Sequence, residues 1–242
     1  MRLIIIRHGD PDYSIDGLTE KGKIEVELLA KKMAKEDITA IYCSPLGRAQ
    51  LTAAPTAKAK GLRIQTLDWL REFDYAAIKV PYCDKPKCPW DLLPEFVDSQ
   101  PGIYSPTDWV NCDFIKNSKV HECYNDVTGK LDELLASYGY LRCGNNYRVT
   151  KANHDTVVLV CHFGLTAVLL SHLLNCSPYS IWQHVVCAPT SVTTVYTEER
   201  REGIALMRAP SIGDISHLYA EGEPPAFAAR FCECFSDDTR HD

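Results

Sequence analysis

The chain has 242 residues, of which 45% are hydrophobic and 24% charged, and its formal net charge is −6. This composition is typical of a folded globular protein with one full core. The basic residues are scattered, so we expect neither a nucleic acid nor a membrane as a partner. No apolar run approaches the roughly 20 residues that cross a bilayer. Several of the eleven cysteines lie in apolar runs, which predicts free thiols and a cytoplasmic protein.

The first half of the chain predicts alternating strands and helices. Residues 3–6 (LIII) form a short apolar run that is typical of a parallel strand covered on both faces. Apolar residues at helical spacing follow within residues 17–37, and residues 40–43 (AIYC) predict a second strand. Residues 46–61 predict a helix that bends near Pro55 and ends at Gly61. Residues 64–70 (IQTLDWL) predict a third strand.

Periodicity is lost between residues 75 and 125, which are rich in proline and aromatic residues, and we interpret them as a lid-like insertion. Regular pattern then returns, and the order of elements predicts a single α/β domain over residues 1–242, with a doubly wound, mostly parallel sheet and helices on both faces. We expect a loose tail after Phe235. The later predicted elements are a helix over 126–140, a strand over 156–161, a helix over 165–174, and strands over 190–199 and 203–209.

Basic side chains and imidazoles follow three of the predicted strands. Arg7 and His8 come directly after the first strand, and His162 follows the strand over 156–161. Arg48 lies in the first turn of the helix after the second strand, where the helix dipole favours an anion. Ligands of open α/β sheets bind beyond the carboxyl ends of the strands, so we expect these four side chains to meet there. Two cations and two imidazoles suit a phosphate group.

Four motifs in this order resemble the histidine phosphatase superfamily, the phosphoglycerate mutase-like group, in its phosphatase branch. They are "RHG", "SPLGRAQLTA", "LREF" and "CHFGL". The resemblance implies that His8 attacks phosphorus and forms a phosphohistidine, while Arg7, Arg48 and His162 hold the non-bridging oxygens. It also implies a carboxylic acid that protonates the leaving oxygen. Glu72 fits that position best, and Asp74 is its competitor. Neither a metal nor a cofactor is expected.

Four further residues are predicted to bind the substrate: Gly9, Ser14, Arg71 and Phe163. Ser14 stands where many members of the superfamily have an asparagine that donates to phosphate. Arg71 is either another phosphate contact or a solvated charge. We expect the insertion to cover the phosphate edge and to determine the substrate. Its aromatic residues would line the pocket: Tyr82, Trp90, Phe96, Tyr104 and Trp109.

Two metal sites are weaker alternatives. The sequence HGDPD would supply His8, Asp10 and Asp12, but the neighbouring arginines compete for the role of a cation. The insertion would supply a structural zinc site, although its spacing matches no standard zinc motif. The side chains of that second alternative are Cys83, Cys88, Cys112, His121 and Cys123.

The function that fits these residues best is that of a histidine acid phosphatase-type enzyme, a metal-independent phosphomonoesterase acting on a small phosphorylated metabolite. A mutase is one alternative, although the chain reads "RHGDPDYSID" where the mutases carry "RHGESxWN". A catalytically degenerate binding protein is the other, because fold alone does not establish activity. The apolar helix over 165–174 would also suit a homodimer interface, and His172 within it is expected in the core or at such an interface.

Overall fold

A mixed sheet of eight strands lies at the centre of the computed structural model, which describes residues 1–228 and 230–241. The strands are β1 (Arg2–Arg7), β2 (Pro11–Asp12), β3 (Gly17–Leu18), β4 (Ala40–Cys43), β5 (Ile64–Thr66), β6 (Ile78–Val80), β7 (Cys83–Lys87), β8 (Tyr140–Cys143), β9 (Asn146–Val149), β10 (Thr156–Cys161), β11 (Val192–Arg201) and β12 (Ile204–Asp214). The α-helices are α1 (Glu20–Met33), α2 (Gly47–Lys60), α3 (Pro94–Asp98), α4 (Asp113–Lys116), α5 (Val120–Ser137), α6 (Phe163–Leu174), α7 (Pro178–Trp182) and α8 (Ser216–Tyr219).

The central sheet has the strand order β5-β4-β10-β1-β11-β12-β9-β8. Strands β5, β4, β10 and β1 pair in parallel, and β11, β12, β9 and β8 continue the sheet in antiparallel pairs. The α/β fold with a parallel portion is therefore confirmed. The sheet is mixed because β11 and β12, and likewise β8 and β9, are joined by tight connections that force antiparallel pairing.

Strand β1 is buried on both faces, as its continuous apolar run predicts. Leu3 and Ile5 point to one face, where α5 and α6 cover the sheet. Ile4 and Ile6 point to the other face, which is covered by α1 and α2. Helix α2 continues through Pro55 and ends at Gly61, whose φ is 65°. The doubly covered sheet leaves the ends of its strands as the place where loops and polar side chains gather.

The segment predicted as an insertion has short elements of its own. Strands β6 and β7 form a hairpin, and α3 and α4 follow it. Helix α5 begins at Val120, well before the predicted start near Asp126. Trp109 and Ile115 are buried in the main core, so the segment is packed into the protein. The ring of Trp109 lies in this core, and its expected place in a pocket stays a prediction.

Helix α6 lies inside the protein. Ten of its twelve residues are buried, and His172 near its end donates a hydrogen bond to Asp132 of α5 at 2.9 Å. This burial leaves the helix no free apolar face, so it cannot serve as the dimer interface that its sequence suggested. Among the helices of the described residues, none is both long enough and apolar enough to span a membrane.

The end of the chain folds back onto the segment that follows β7. The backbone N–H of Cys232 donates to the carbonyl of Arg240 at 2.8 Å. The guanidinium of Arg240 pairs with the carboxylate of Asp91 at 3.0 Å. These contacts join Arg240 to the segment after β7, whereas Phe235 is 91% exposed, and the loose tail after Phe235 stays a prediction.

Candidate active site

The parallel strands β1, β10 and β4 end at one edge of the sheet, and four predicted side chains meet there. Arg7 ends β1 and His8 follows it, while His162 follows β10. Arg48 lies in the first turn of α2, which comes after β4. The centres of the His8 and His162 rings are 5.0 Å apart. All four side chains are buried, and His8 is only 2% exposed. The structure thus forms a water-poor cluster of two guanidinium groups and two imidazoles.

The hydrogen bonds of His8 determine where its proton lies. Its Nδ1 atom is 2.8 Å from the carbonyl oxygen of Gly9, which can only accept, so Nδ1 carries the proton. The Nε2 atom accepts a hydrogen bond from Nε of Arg48 at 3.3 Å. Burial and the positive charges of Arg7 and Arg48 hold the pKa of His8 well below its usual value of 6.5. The imidazole is therefore neutral, and Nε2 is the unprotonated nitrogen that a nucleophilic attack needs.

Gly9 supports His8 through its backbone. Its N–H donates to the hydroxyl of Thr52 at 2.9 Å, and its carbonyl accepts from His8. A Cβ atom at this position would lie 2.9 Å from Cγ2 of Val26 and 3.1 Å from the carbonyl oxygen of Gly22. Only glycine fits this close approach without a shift of α1. Gly9 was predicted to bind substrate, and these contacts are those of a residue that positions the nucleophile.

Asp16 holds Arg48 and was not predicted from the sequence. One carboxylate oxygen of Asp16 accepts from Nη1 of Arg48 at 2.6 Å, and the other accepts from the N–H of Gly47 at 2.6 Å. Gly47 is the first residue of α2, so the carboxylate also caps that helix. Asp16 has a φ of 47°, a conformation that aspartate tolerates better than most residues. The Asp16-Gly17 pair was the turn signal that could have drawn attention to it.

Two polar nitrogens in the cluster have no partner within the described residues: Nε of Arg7 and Nδ1 of His162. Nη1 of Arg7 donates to the carbonyl oxygens of Cys187 at 2.6 Å and Ala228 at 3.2 Å. A hydrogen bond of 2.7 Å joins Nε2 of His162 to the hydroxyl of Ser44. Burial, with the nearby positive charges, lowers the pKa of His162 well below 6.5. Unpartnered buried nitrogens are costly, which points to a ligand that supplies acceptors.

Glu72 lies at the start of α6, close to His162. Its carboxylate accepts hydrogen bonds from the backbone N–H of Phe73 at 2.8 Å and of Leu165 at 3.1 Å. Burial raises the pKa of Glu72 above its usual 4.5, against the opposing effect of these N–H groups and of Arg7. The competing Asp74 is exposed to solvent. The geometry therefore favours Glu72 as the acid, because it combines a raised pKa with a place beside the cluster.

The remaining predicted residues take different places. Ser14 is exposed, and its hydroxyl donates to Asp12 at 2.6 Å. Arg71 is exposed, and its guanidinium lies 5.6 Å from the centre of the Tyr75 ring. Phe163 is buried as the first residue of α6. Phe163 thus adjoins the cluster directly, whereas the side chains of Ser14 and Arg71 contact residues outside the cluster.

Neither metal alternative is supported by the described residues. Within them, no three His, Cys, Asp or Glu side chains come together as metal ligands. Asp10 accepts from the hydroxyl of Thr19 at 2.7 Å, and Asp12 accepts from Ser14, so both carboxylates are engaged away from His8. The eleven cysteines are free thiols.

Known proteins resemble this chain over nearly its full length. It is 26% identical over 219 residues to phosphoserine phosphatase 1 of Hydrogenobacter thermophilus, which covers 84% of this chain and 90% of that protein. A mycobacterial glucosyl-3-phosphoglycerate phosphatase, solved with VO3, superposes with a TM-score of 0.55 at 23% identity, covering 87% of this chain and 98% of the other. A phosphoserine phosphatase of Entamoeba histolytica, solved with 3-phosphoglyceric acid, gives a TM-score of 0.55 at 19% identity, with coverage of 90% and 98%.

The two solved structures establish the fold, and the family follows from the sequence match. Residues 3–82 and 104–210 match the histidine phosphatase superfamily (branch 1). The matched ranges include His8, Arg48, Glu72 and His162, so the resemblance carried by the four short motifs is confirmed. The chain belongs to the histidine phosphatase superfamily, branch 1.

Proposed function

We propose that the protein is a metal-independent phosphomonoesterase that transfers the phosphoryl group of a small phosphorylated metabolite to His8 and then to water. The observation that carries this proposal is the neutral imidazole of His8, whose unprotonated Nε2 atom lies among buried cationic donors. The similarity to a phosphoserine phosphatase and a glucosyl-3-phosphoglycerate phosphatase supports this class of reaction.

In the first step, Nε2 of His8 attacks phosphorus and the bond from phosphorus to the ester oxygen breaks. The guanidinium of Arg48 already donates to Nε2, so a small movement lets it donate to a phosphate oxygen instead. Nε of Arg7 is a second donor. We assign the hydroxyl of Ser44 as donor to Nε2 of His162, which leaves Nδ1 of His162 as the third. Fixed donors in a water-poor site stabilise the charge of the transferring group.

Glu72 supplies the proton that the leaving oxygen needs. Its raised pKa favours the protonated form in which it can act as an acid. Once it has given up the proton, the carboxylate takes a proton from the water that attacks the phosphohistidine. The bond from Nε2 to phosphorus then breaks, phosphate leaves, and Glu72 is protonated again. The proton given to the leaving oxygen is thus replaced by the proton taken from water, and neither step needs a metal.

The proposal extends to the size of the substrate and to the compartment. The substrate is a small phosphorylated molecule, because the cluster is buried and cannot admit a large surface. The free thiols suit the reducing conditions of the cytoplasm, which is where we place the protein.

The test is hydrolysis of phosphoserine and of nitrophenyl phosphate in excess chelator by the intact chain, by His8→Ala and by His154→Ala. His154 is an exposed histidine and serves as the matched control. We expect chelator-resistant turnover that His8→Ala abolishes and His154→Ala preserves. Turnover that does not depend on His8 would overturn the proposal. If the phosphoryl group on His8 returns to the substrate faster than it is transferred to water, the protein would be a mutase instead.

A further inference from the structure

We propose that a cavity beside the phosphate centre binds the organic part of the substrate, and that it selects phosphomonoesters of aromatic or branched apolar alcohols. This inference rests on the proposed function and names its substrate class. The cavity has a volume of about 480 Å³, within the range of small-molecule sites. Its walls come from the segment after β7, from the start of α6 with α7, and from the end of the chain. The wall residues that bear on the choice of substrate are Trp90, Phe163, Trp182, Gln183 and Phe231.

The cavity adjoins the reaction centre through the first turn of α6. Phe163 lines it and follows His162 in the chain. The same turn of α6 holds the acid, because the N–H of Leu165 donates to Glu72. Glu72 protonates the leaving oxygen, so the carbon skeleton attached to that oxygen extends toward the side where Phe163 lies. The cavity is therefore on the leaving-group side of the phosphate.

The part of the wall beside the first turn of α6 is aromatic. The rings of Trp90 and Phe163 meet edge to face, with centres 6.4 Å apart and an interplanar angle of 86°. Nε1 of Trp182, its one polar atom, donates to the carbonyl of Gly164 at 3.0 Å. The side-chain nitrogen Nε2 of Gln183 is buried and has no partner within the described residues. Apolar walls with one available donor suit an apolar body that carries an oxygen.

The charges around the cavity are already paired. Arg240 forms an ion pair with Asp91, and Arg230 forms one with Glu233. These four residues all line the cavity, and their charges cancel in pairs. The carboxylate of phosphoserine or phosphoglycerate would have to compete with Asp91 or Glu233 for these arginines. An uncharged leaving group meets no such cost.

The end of the chain forms one wall of this cavity and is tied down at two places. The backbone N–H of Ala226 donates to the fully buried Glu25 at 3.0 Å, and Arg240 pairs with Asp91. Between these ties, Ala228 accepts from the phosphate-binding Arg7, and Phe231 lines the cavity. Trp90 and Phe231 both lie outside the ranges that match the superfamily.

The experiment compares the affinities of the intact chain for naphthylmethylphosphonate and for methylphosphonate by calorimetry. Both probes carry the phosphonate, and one carries the aromatic group. We expect the naphthyl probe to bind at least about tenfold more tightly, since hydrophobic pockets discriminate by about that factor for a few carbon atoms. Trp90→Ala and Phe231→Ala should each reduce this ratio at least about threefold. Phe231 is 41% exposed, so its replacement leaves the core intact.

Tyr219→Ala is the matched control, because Tyr219 is an exposed aromatic residue in α8 that does not line the cavity. It should leave the ratio unchanged. Equal affinities for the two probes, or a ratio that Trp90→Ala and Phe231→Ala do not change, would overturn the inference.

Hydrolysis of naphthyl phosphate and phosphoserine, measured in parallel with His8→Ala, separates the two proposals. If hydrolysis depends on His8 but the two phosphonates bind equally well, the pocket proposal is wrong and the phosphatase proposal stands. If the naphthyl probe binds more tightly as expected but neither phosphate ester is hydrolysed, the pocket proposal stands and the phosphatase proposal is wrong.

Discussion

Nε of Arg48 lies 3.3 Å from Nε2 of His8 and donates a hydrogen bond to the atom that we assign as the nucleophile. Because a guanidinium stays protonated in proteins and can only donate, the contact requires Nε2 to be unprotonated. The other end of the guanidinium is held by Asp16. One chain of contacts, from Asp16 through Arg48 to His8, therefore fixes both the orientation and the protonation of the nucleophile.

The first prediction concerns Asp16 as a positioning residue. Asp16→Asn keeps an oxygen for the N–H of Gly47 but removes the charge that pairs with Arg48. We expect kcat/KM for phosphoserine to fall about tenfold, which is the loss of one charged hydrogen bond of about 1.4 kcal/mol. Glu20→Gln is the control, since Glu20 is exposed at the start of α1 and pairs with the exposed Lys23. Equal rates for both variants would show that the Asp16 carboxylate does not position Arg48.

The second prediction uses the leaving group to identify the acid. Glu72→Gln removes the proton donor, so hydrolysis of phosphoserine, which releases a poor leaving group, should slow about a hundredfold or more. Nitrophenyl phosphate releases a stable phenolate, so its hydrolysis should slow less than about tenfold in the same variant. Steady-state kcat/KM for the two substrates checks this. Equal losses for both would mean that Glu72 acts on binding or folding and not as the acid.

The third prediction is the pH dependence of kcat/KM. The lowered pKa of His8 keeps its imidazole neutral until the pH falls well below 6.5, so activity should be lost on the acid side through that pKa. The raised pKa of Glu72 keeps its carboxyl protonated above pH 4.5, so activity should be lost on the alkaline side through that higher pKa. The profile should therefore be bell-shaped, limited by His8 on the acid side and by Glu72 on the alkaline side.

Variants at the two carboxylates assign the alkaline limb of that profile. Glu72→Gln should flatten it, because an amide has no proton to lose over this range. Asp74→Asn should preserve it, since Asp74 is exposed and lies outside the cluster. A limb that disappears in Asp74→Asn and persists in Glu72→Gln would transfer the role of the acid to Asp74.

The parts of the fold that repeat a simple pattern could be predicted from the sequence. The apolar run Leu3–Ile6 predicts a strand covered on both faces, and the structure buries it on both. The topological rule for parallel strands then brings Arg7, Arg48 and His162 to one edge, although these residues are far apart in the chain. Local pattern and one rule of topology were enough for this part of the site.

The other parts depend on contacts that no local pattern shows. Asp16 reaches Arg48 only because the turn between β2 and β3 lies against the start of α2. Trp109 has the composition of a pocket residue, yet its ring packs in the core against Tyr179. The last residues of the chain read as a polar tail, but the ion pair between Arg240 and Asp91 joins residues 149 positions apart. Long-range partners of this kind follow from the tertiary structure alone.

The most direct test of the phosphohistidine mechanism is to look for the phosphoryl group on His8. The intact chain would be mixed with nitrophenyl phosphate, quenched in alkali within milliseconds, digested and examined by mass spectrometry. The mechanism predicts a phosphorylated peptide that contains His8, stable in alkali and lost in acid, and absent from His8→Ala. Rapid turnover with no phosphoryl group on His8, or with the group on another residue, would contradict it.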